Sequence, residues 1–194
     1  GKVHPAFQGG VRDSNPDLDA AQAWAKSGKR GYLRYQIPPE QESDANVMVK
    51  VKAERWRGFR HELASALAWL QQNAEVPDVD LVAYLIAAHH GKVRLSIRSM
   101  HNENRPPESS RLFARGIWDG DSLPRVEIGN VEADVSEQIE LSLELMQLGE
   151  HSGTTSWLAR TVNLRDEYGP FRLAFLESLV RVADWRGSQQ GVSK

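Results

Sequence analysis

Three histidines and one aspartate stand where chemistry is possible. His61 opens "HELASALAWLQQN", His89 and His90 close "LVAYLIAAHHG", and Asp184 lies in "VRVADW". A single histidine at the end of an apolar helix is ordinarily a satisfied packing residue. Three on two such helices, in a chain without cysteine, point toward a shared ion. Neutral imidazole suits first-row divalent metals, and a carboxylate completes such a set. The ligands need not be close in sequence, because helices packed roughly 8–10 Å apart can converge their side chains. Adjacent residues on a helix point about 100° apart. His89 and His90 can therefore serve one ion only if the helix stops there, and Gly91 suits a left-handed stop. Asp184 is flanked by Val182, Ala183 and Trp185. A carboxylate in such company is costly unless satisfied. On the residues alone, ligation of a cation and a salt bridge with Arg181 or Arg186 are both open. Glu62 follows His61 directly and points elsewhere around the helix, which suits a solvated or supporting group.

These side chains need elements to hold them. Leu63, Leu67 and Leu70 repeat at helical spacing. The next helix begins near Asp78 or Asp80, either of which can cap it, and it is apolar nearly all round, so it is expected to be central. "KVRLSIRS" then alternates, with Val93, Leu95 and Ile97 on one face and Lys92, Arg94, Ser96 and Arg98 on the other. That predicts a strand, with "PRVEIGNVEADV" as its antiparallel partner across a long polar excursion, residues 99–124. Three more helices are expected at about 135–148, 154–166 and 170–187, the last starting at Pro170. Residues 8–45 read as loop-rich. The expected fold is mainly α: a helical bundle with a small antiparallel β-hairpin insertion at about 92–135, in a single domain over 1–194.

Composition narrows the classes. The 194 residues are 40% hydrophobic and 26% charged, which fits one globular domain with a proper core. The net charge of −2 provides no global basic field, so a nucleic-acid partner needs a local patch or a metal-bridged phosphate. The lack of cysteine excludes thiolate ligands and nucleophiles. No stretch approaches the roughly 18 apolar residues of a membrane span, and no signal peptide is visible, so a cytoplasmic location is expected. There is no G-x-S-x-G elbow, no P-loop and no dinucleotide fingerprint.

Four segments together resemble a known family, the HD-type nuclease domain of type I CRISPR-associated helicase-nucleases. "GKVHPAFQ" at 1–8 resembles the second half of its His-Asp-x-Gly-Lys-x-x-Pro-x-Phe-Gln motif. "FRHELASA" at 59–66 is similar to its Arg-His-Glu helix, "AAHHG" at 87–91 to its double-histidine motif, and "VADW" at 182–185 to its Ala-Asp-Trp segment. The resemblance implies an HD-domain helical bundle. It also implies that His61, His89 and His90 ligate one divalent ion of a pair, that Asp184 ligates the other, and that Lys2 sits by the scissile phosphate. Histidine-rich ligation favours Mn, Fe, Co or Ni over Mg.

The implied activity is metal-dependent hydrolysis of single-stranded DNA in CRISPR interference, an antiviral defence. Arg60, Lys92, Arg94 and Arg98 are the candidate strand contacts. The implied partners are a superfamily-2 helicase module, in the parent chain or on a separate protein, and a guide-RNA effector complex; no membrane is implied. The family's His-Asp pair and an earlier histidine fall upstream of residue 1, so a truncated chain with weakened metal binding and little nuclease activity is expected. Two other classes fit the residues: an HD phosphohydrolase of nucleotides or small phosphoesters, and a non-catalytic interaction domain on an HD scaffold.

Overall fold

A computed structural model describes residues 32–36, 54–123, 137–151 and 153–190. Among these residues there are four α-helices and four two-stranded antiparallel sheets. β1 (Tyr32–Gln36) pairs with β2 (Glu54–Gly58). Then come α1 (His61–Gln72) and α2 (Val79–Ala88). The short hairpin β3 (Phe113–Ala114) and β4 (Ile117–Trp118) follows, then β5 (Ser122–Leu123) paired with β6 (Ile139–Glu140). A 3₁₀ turn at Glu144–Met146 and the pair β7 (Glu150–His151) and β8 (Thr154–Thr155) lead into α3 (Trp157–Tyr168) and α4 (Pro170–Gln190). The mainly-α class with small hairpins is as expected.

The core is built on α1 and α2, which pack against each other. Leu63, Ala64 and Leu67 from α1, and Ala83, Ala87 and Ala88 from α2, are buried. Alanine at so many contact positions lets the two backbones approach closely. The Trp69 indole N–H donates to the Val79 carbonyl at 3.1 Å, tying the end of α1 to the start of α2. His61 meets His90 at the other end, so the two helices run antiparallel. α3 and α4 close over α2. Ser156 caps α3, its hydroxyl accepting from the Ala159 N–H at 3.3 Å, and Pro170 opens α4 as expected. Asp78 stands at the N-cap of α2 but its side chain does not cap it; it accepts instead from the Tyr168 hydroxyl at 3.0 Å. Asp80 pairs with Arg160 at 2.5 Å.

Two expected elements are corrected. Residues 92–98 form bends and extended chain without strand pairing. Their carbonyls are engaged by side chains: Trp157 Nε1 donates to the Arg94 carbonyl at 2.6 Å, and Arg115 Nη2 to that of Lys92 at 3.3 Å. Val93 and Ile97 are buried, but Leu95, expected beside them, is 56% exposed. The expected partner segment, 124–135, lies outside the described residues. Within the described part of 92–135 the hairpin is instead β3–β4. Gly116 at its turn has φ +81°, and a Cβ there would strike the Gly58 carbonyl oxygen at 1.5 Å, so only glycine fits.

The second correction concerns 135–148, where a helix was expected. Leu141, Leu143 and Leu145 are buried at alternate positions. The backbone between them is held by the loop at 119–121: Leu141 N–H donates to the Asp121 carbonyl at 2.8 Å, and Leu143 N–H to Asp119 Oδ1 at 2.6 Å.

Candidate metal centre

The antiparallel pairing of α1 and α2 puts the first residue of one beside the last turn of the other. Arg60, at the N-cap, has an extended backbone (φ −105°, ψ 102°), and His61 begins the helix. At the other side His89 is the C-cap of α2 and keeps helical dihedrals (φ −60°, ψ −25°). Gly91 then takes φ +69°, and its N–H donates to the Ala88 carbonyl at 2.6 Å. The chain therefore turns away immediately after His90, which frees the second ring of the pair from helical spacing.

The result is a cluster. The imidazole centroids of His89 and His90 are 4.0 Å apart, those of His61 and His90 5.0 Å, and those of His61 and His89 5.9 Å. One ring nitrogen from each of His61, His89 and His90 lies within 4.8 Å of the other two. His89 Nδ1 is 2.6 Å from the Ile86 carbonyl. A carbonyl only accepts, so Nδ1 carries the proton and Nε2 keeps the lone pair a metal needs. His61 Nε2 and His90 Nε2 are 3.3 Å apart. Two imidazole lone pairs at that distance require either a proton or a cation between them. That separation is short enough for both nitrogens to be held by one ion. The donor set thus fits a first-row divalent ion.

Glu62 backs the cluster. It is fully buried, and neither of its oxygens accepts a hydrogen bond from the protein. Arg60 Nε lies 3.4 Å from Oε1 and His61 Nδ1 3.7 Å from Oε2. The solvated role open to it in the sequence is therefore excluded. A buried carboxylate needs compensating charge. When His61 presents Nε2 to an ion, its Nδ1 proton faces this carboxylate, the arrangement that orients metal-bound histidines in general.

The other expected site residues are placed as follows. Asp184 lies on α4, partly exposed, and among the described residues is outside the histidine group. Arg60 is half-exposed and paired with Glu62. Lys92 and Arg98 are exposed. Arg94 is half-exposed, with Nε donating to Glu177 Oε2 at 2.8 Å. The lack of a strand means that Lys92, Arg94 and Arg98 do not share a regular strand face. Lys2 lies outside the described residues.

One polar group near the centre gave no sign in the sequence. The Tyr84 hydroxyl donates to Glu177 Oε1, while Arg94 holds Oε2 of the same carboxylate. Burial, then the hydrogen bond and charge of Glu177, push the Tyr84 phenol well above its ordinary pKa, so it stays neutral. The clasp joins α2, the loop after it and α4 across more than eighty residues.

A helical domain whose two most buried helices converge three imidazoles is the kind of scaffold on which metal-dependent hydrolases are built. The comparison with protein families is specific: the model described as "Cas3, HD domain" matches residues 1–193. The chain belongs to the HD-domain family of Cas3, a family of CRISPR-associated HD nuclease domains. No curated protein and no solved structure matches it.

Proposed function

We propose that this chain is a metal-dependent nuclease domain that hydrolyses single-stranded DNA in CRISPR interference. The observation that carries the reading is the convergence of His61, His89 and His90 in a chain matched over 1–193 by the Cas3 HD family. In this reading the three histidines hold one divalent ion, Mn, Fe, Co or Ni in preference to Mg. Asp184 serves a second ion, and Lys2 approaches the phosphate being cleaved. A bound ion lowers the pKa of a water and neutralises charge on the attacked phosphodiester. His89 is held in one tautomer by the Ile86 carbonyl. His61 is oriented by Glu62, and Arg60 offsets the charge of that carboxylate. The buried leucines and alanines beneath the rings exclude water from the protein side of the site.

Sequence specificity is not demanded of such a domain. In guide-RNA systems base pairing selects the target, and the nuclease need only accept a displaced strand. The partners are accordingly single-stranded DNA, a superfamily-2 helicase module and a guide-RNA effector complex. No helix among the described residues is long and apolar enough to cross a membrane, and the setting proposed is cytoplasmic.

The test is cleavage of an end-labelled single strand with Mn²⁺, Co²⁺, Ni²⁺ or Mg²⁺, beside hydrolysis of free nucleotides under the same conditions. Strand cleavage that disappears in His89→Ala supports the reading. Hydrolysis of free nucleotides with the strand left intact would replace it with a phosphohydrolase.

A further inference from the structure

Beside the histidine cluster is a cleft of about 220 Å³ whose lining includes His89, Arg94, Glu177, Ser178 and Arg181. Its charge is unbalanced. Two guanidinium groups face one carboxylate, and that carboxylate is spent: Oε1 accepts from Tyr84 and Oε2 from Arg94. The Ser178 hydroxyl is also spent, donating to the Ala174 carbonyl at 2.8 Å. Arg94 is committed through Nε, which leaves its terminal nitrogens. They lie over the glycine that follows the histidine pair: a Cβ on Gly91 would be 3.7 Å from each Nη. Arg181 stands one turn beyond Glu177 on α4, exposed, and makes no ion pair among the described residues. The cleft thus presents a net positive charge, with two guanidinium groups and a candidate metal ligand in its lining.

We propose that this cleft is a phosphate subsite. It takes a phosphodiester of the bound strand next to the one at the metal centre, with Arg181 and the free edge of Arg94 as its contacts. Guanidinium groups match phosphate oxygens in a bidentate geometry that lysine cannot reproduce. Glu177 is the positioning residue: by taking Nε it turns the Nη edge of Arg94 outward. The assignment rests on the nuclease reading of the histidine cluster.

The experiment is binding of a fluorescein-labelled 12-nucleotide single strand, with EDTA to prevent cleavage, across a salt series. Losing one phosphate contact on a single strand makes the slope of log K against log salt shallower by about 0.7, a loss of about fivefold at 0.1 M salt. Arg181→Gln is expected to show that change, with manganese content of the metal-loaded protein unaltered. Arg165→Gln, at an exposed arginine on α3 outside the cleft, is expected to show none. An unchanged slope in both Arg181→Gln and Arg181→Glu, with wild-type strand binding intact, would overturn the subsite while leaving the nuclease reading in place. Failure of the wild type to bind the strand, with Arg181-dependent binding of inorganic phosphate by calorimetry, would overturn the strand assignment, whereas the nuclease reading stands or falls on the cleavage assay with added metal.

Discussion

The helices that carry the histidines and the helix that carries Asp184 are held in opposite ways. In α1 and α2 the residues beside the imidazoles are sealed: Leu63, Ala64, Ala83 and Ala87 have no exposure, and Leu67 has 1%. Along α4, Leu173 is buried, but Phe171, Phe175, Leu179, Val182 and Trp185 are between 44% and 91% exposed. Close-packed interiors resist displacement. The imidazoles are therefore positioned by a core, whereas α4 is positioned by Leu173 and the polar clasp on Glu177. A ligand set that spans both regions is only as exact as its looser half.

The largest test of that contrast is packing. Leu67→Ala removes a fully buried side chain between α1 and its neighbours and is expected to cost about 2–5 kcal/mol in urea unfolding. Phe175→Ser on α4 is expected to stay within about 0.5 kcal/mol. Similar costs at the two positions would dissolve the distinction. Metal binding comes next. His89→Ala is expected to lower manganese affinity by more than about 100-fold, beyond what loss of a supporting residue does. Asp184→Asn is expected to leave that affinity unchanged and to reduce cleavage. A common loss of affinity would place Asp184 in the same shell as the histidines.

Glu62 sharpens the comparison within the tighter half. Glu62→Gln keeps the shape and removes the charge behind His61. Manganese affinity is expected to fall by about tenfold, at the low end for a residue that orients a ligand. Urea unfolding of the metal-free protein is expected to change little or to improve, because a buried carboxylate without hydrogen bonds costs free energy. A loss of stability with unchanged affinity would make Glu62 a structural partner of Arg60 alone.

What could be read from the sequence follows the same division. The histidine cluster was legible because its imidazoles sit at the ends of two strongly apolar helices, and because Gly91 marks where one must stop. The segment at 139–145 carries two competing signals. Ile139, Leu141, Leu143 and Leu145 alternate with Glu140, Ser142 and Glu144, a period of two that local helix-forming residues obscured. The alternation at 92–98 was real as a pattern, but among the described residues no strand pairs with it. The carbonyls of Lys92 and Arg94 instead meet the side chains of Arg115 and Trp157, 23 and 63 positions on. The clasp of Tyr84, Arg94 and Glu177 was invisible because its members carry no local signal. Nothing in a single sequence says that residues 83 and 93 positions apart will meet.

The smallest expected effect concerns that clasp, which holds the looser helix to the tighter pair. Tyr84→Phe removes the hydroxyl that Glu177 accepts and leaves Arg94 in place, so about 1 kcal/mol of stability is expected to be lost near neutral pH. The sign with pH follows from the raised phenol pKa. The folded protein keeps the proton at pH values where the unfolded tyrosine releases it. Its contribution is fully present below about pH 10 and declines as pH rises from there through the folded value. The wild type is therefore expected to lose part of its advantage over Tyr84→Phe above pH 10. A difference that stays constant with pH would mean that the hydroxyl contributes packing alone, and that α4 is held by Leu173 and the pairing of Arg94 with Glu177.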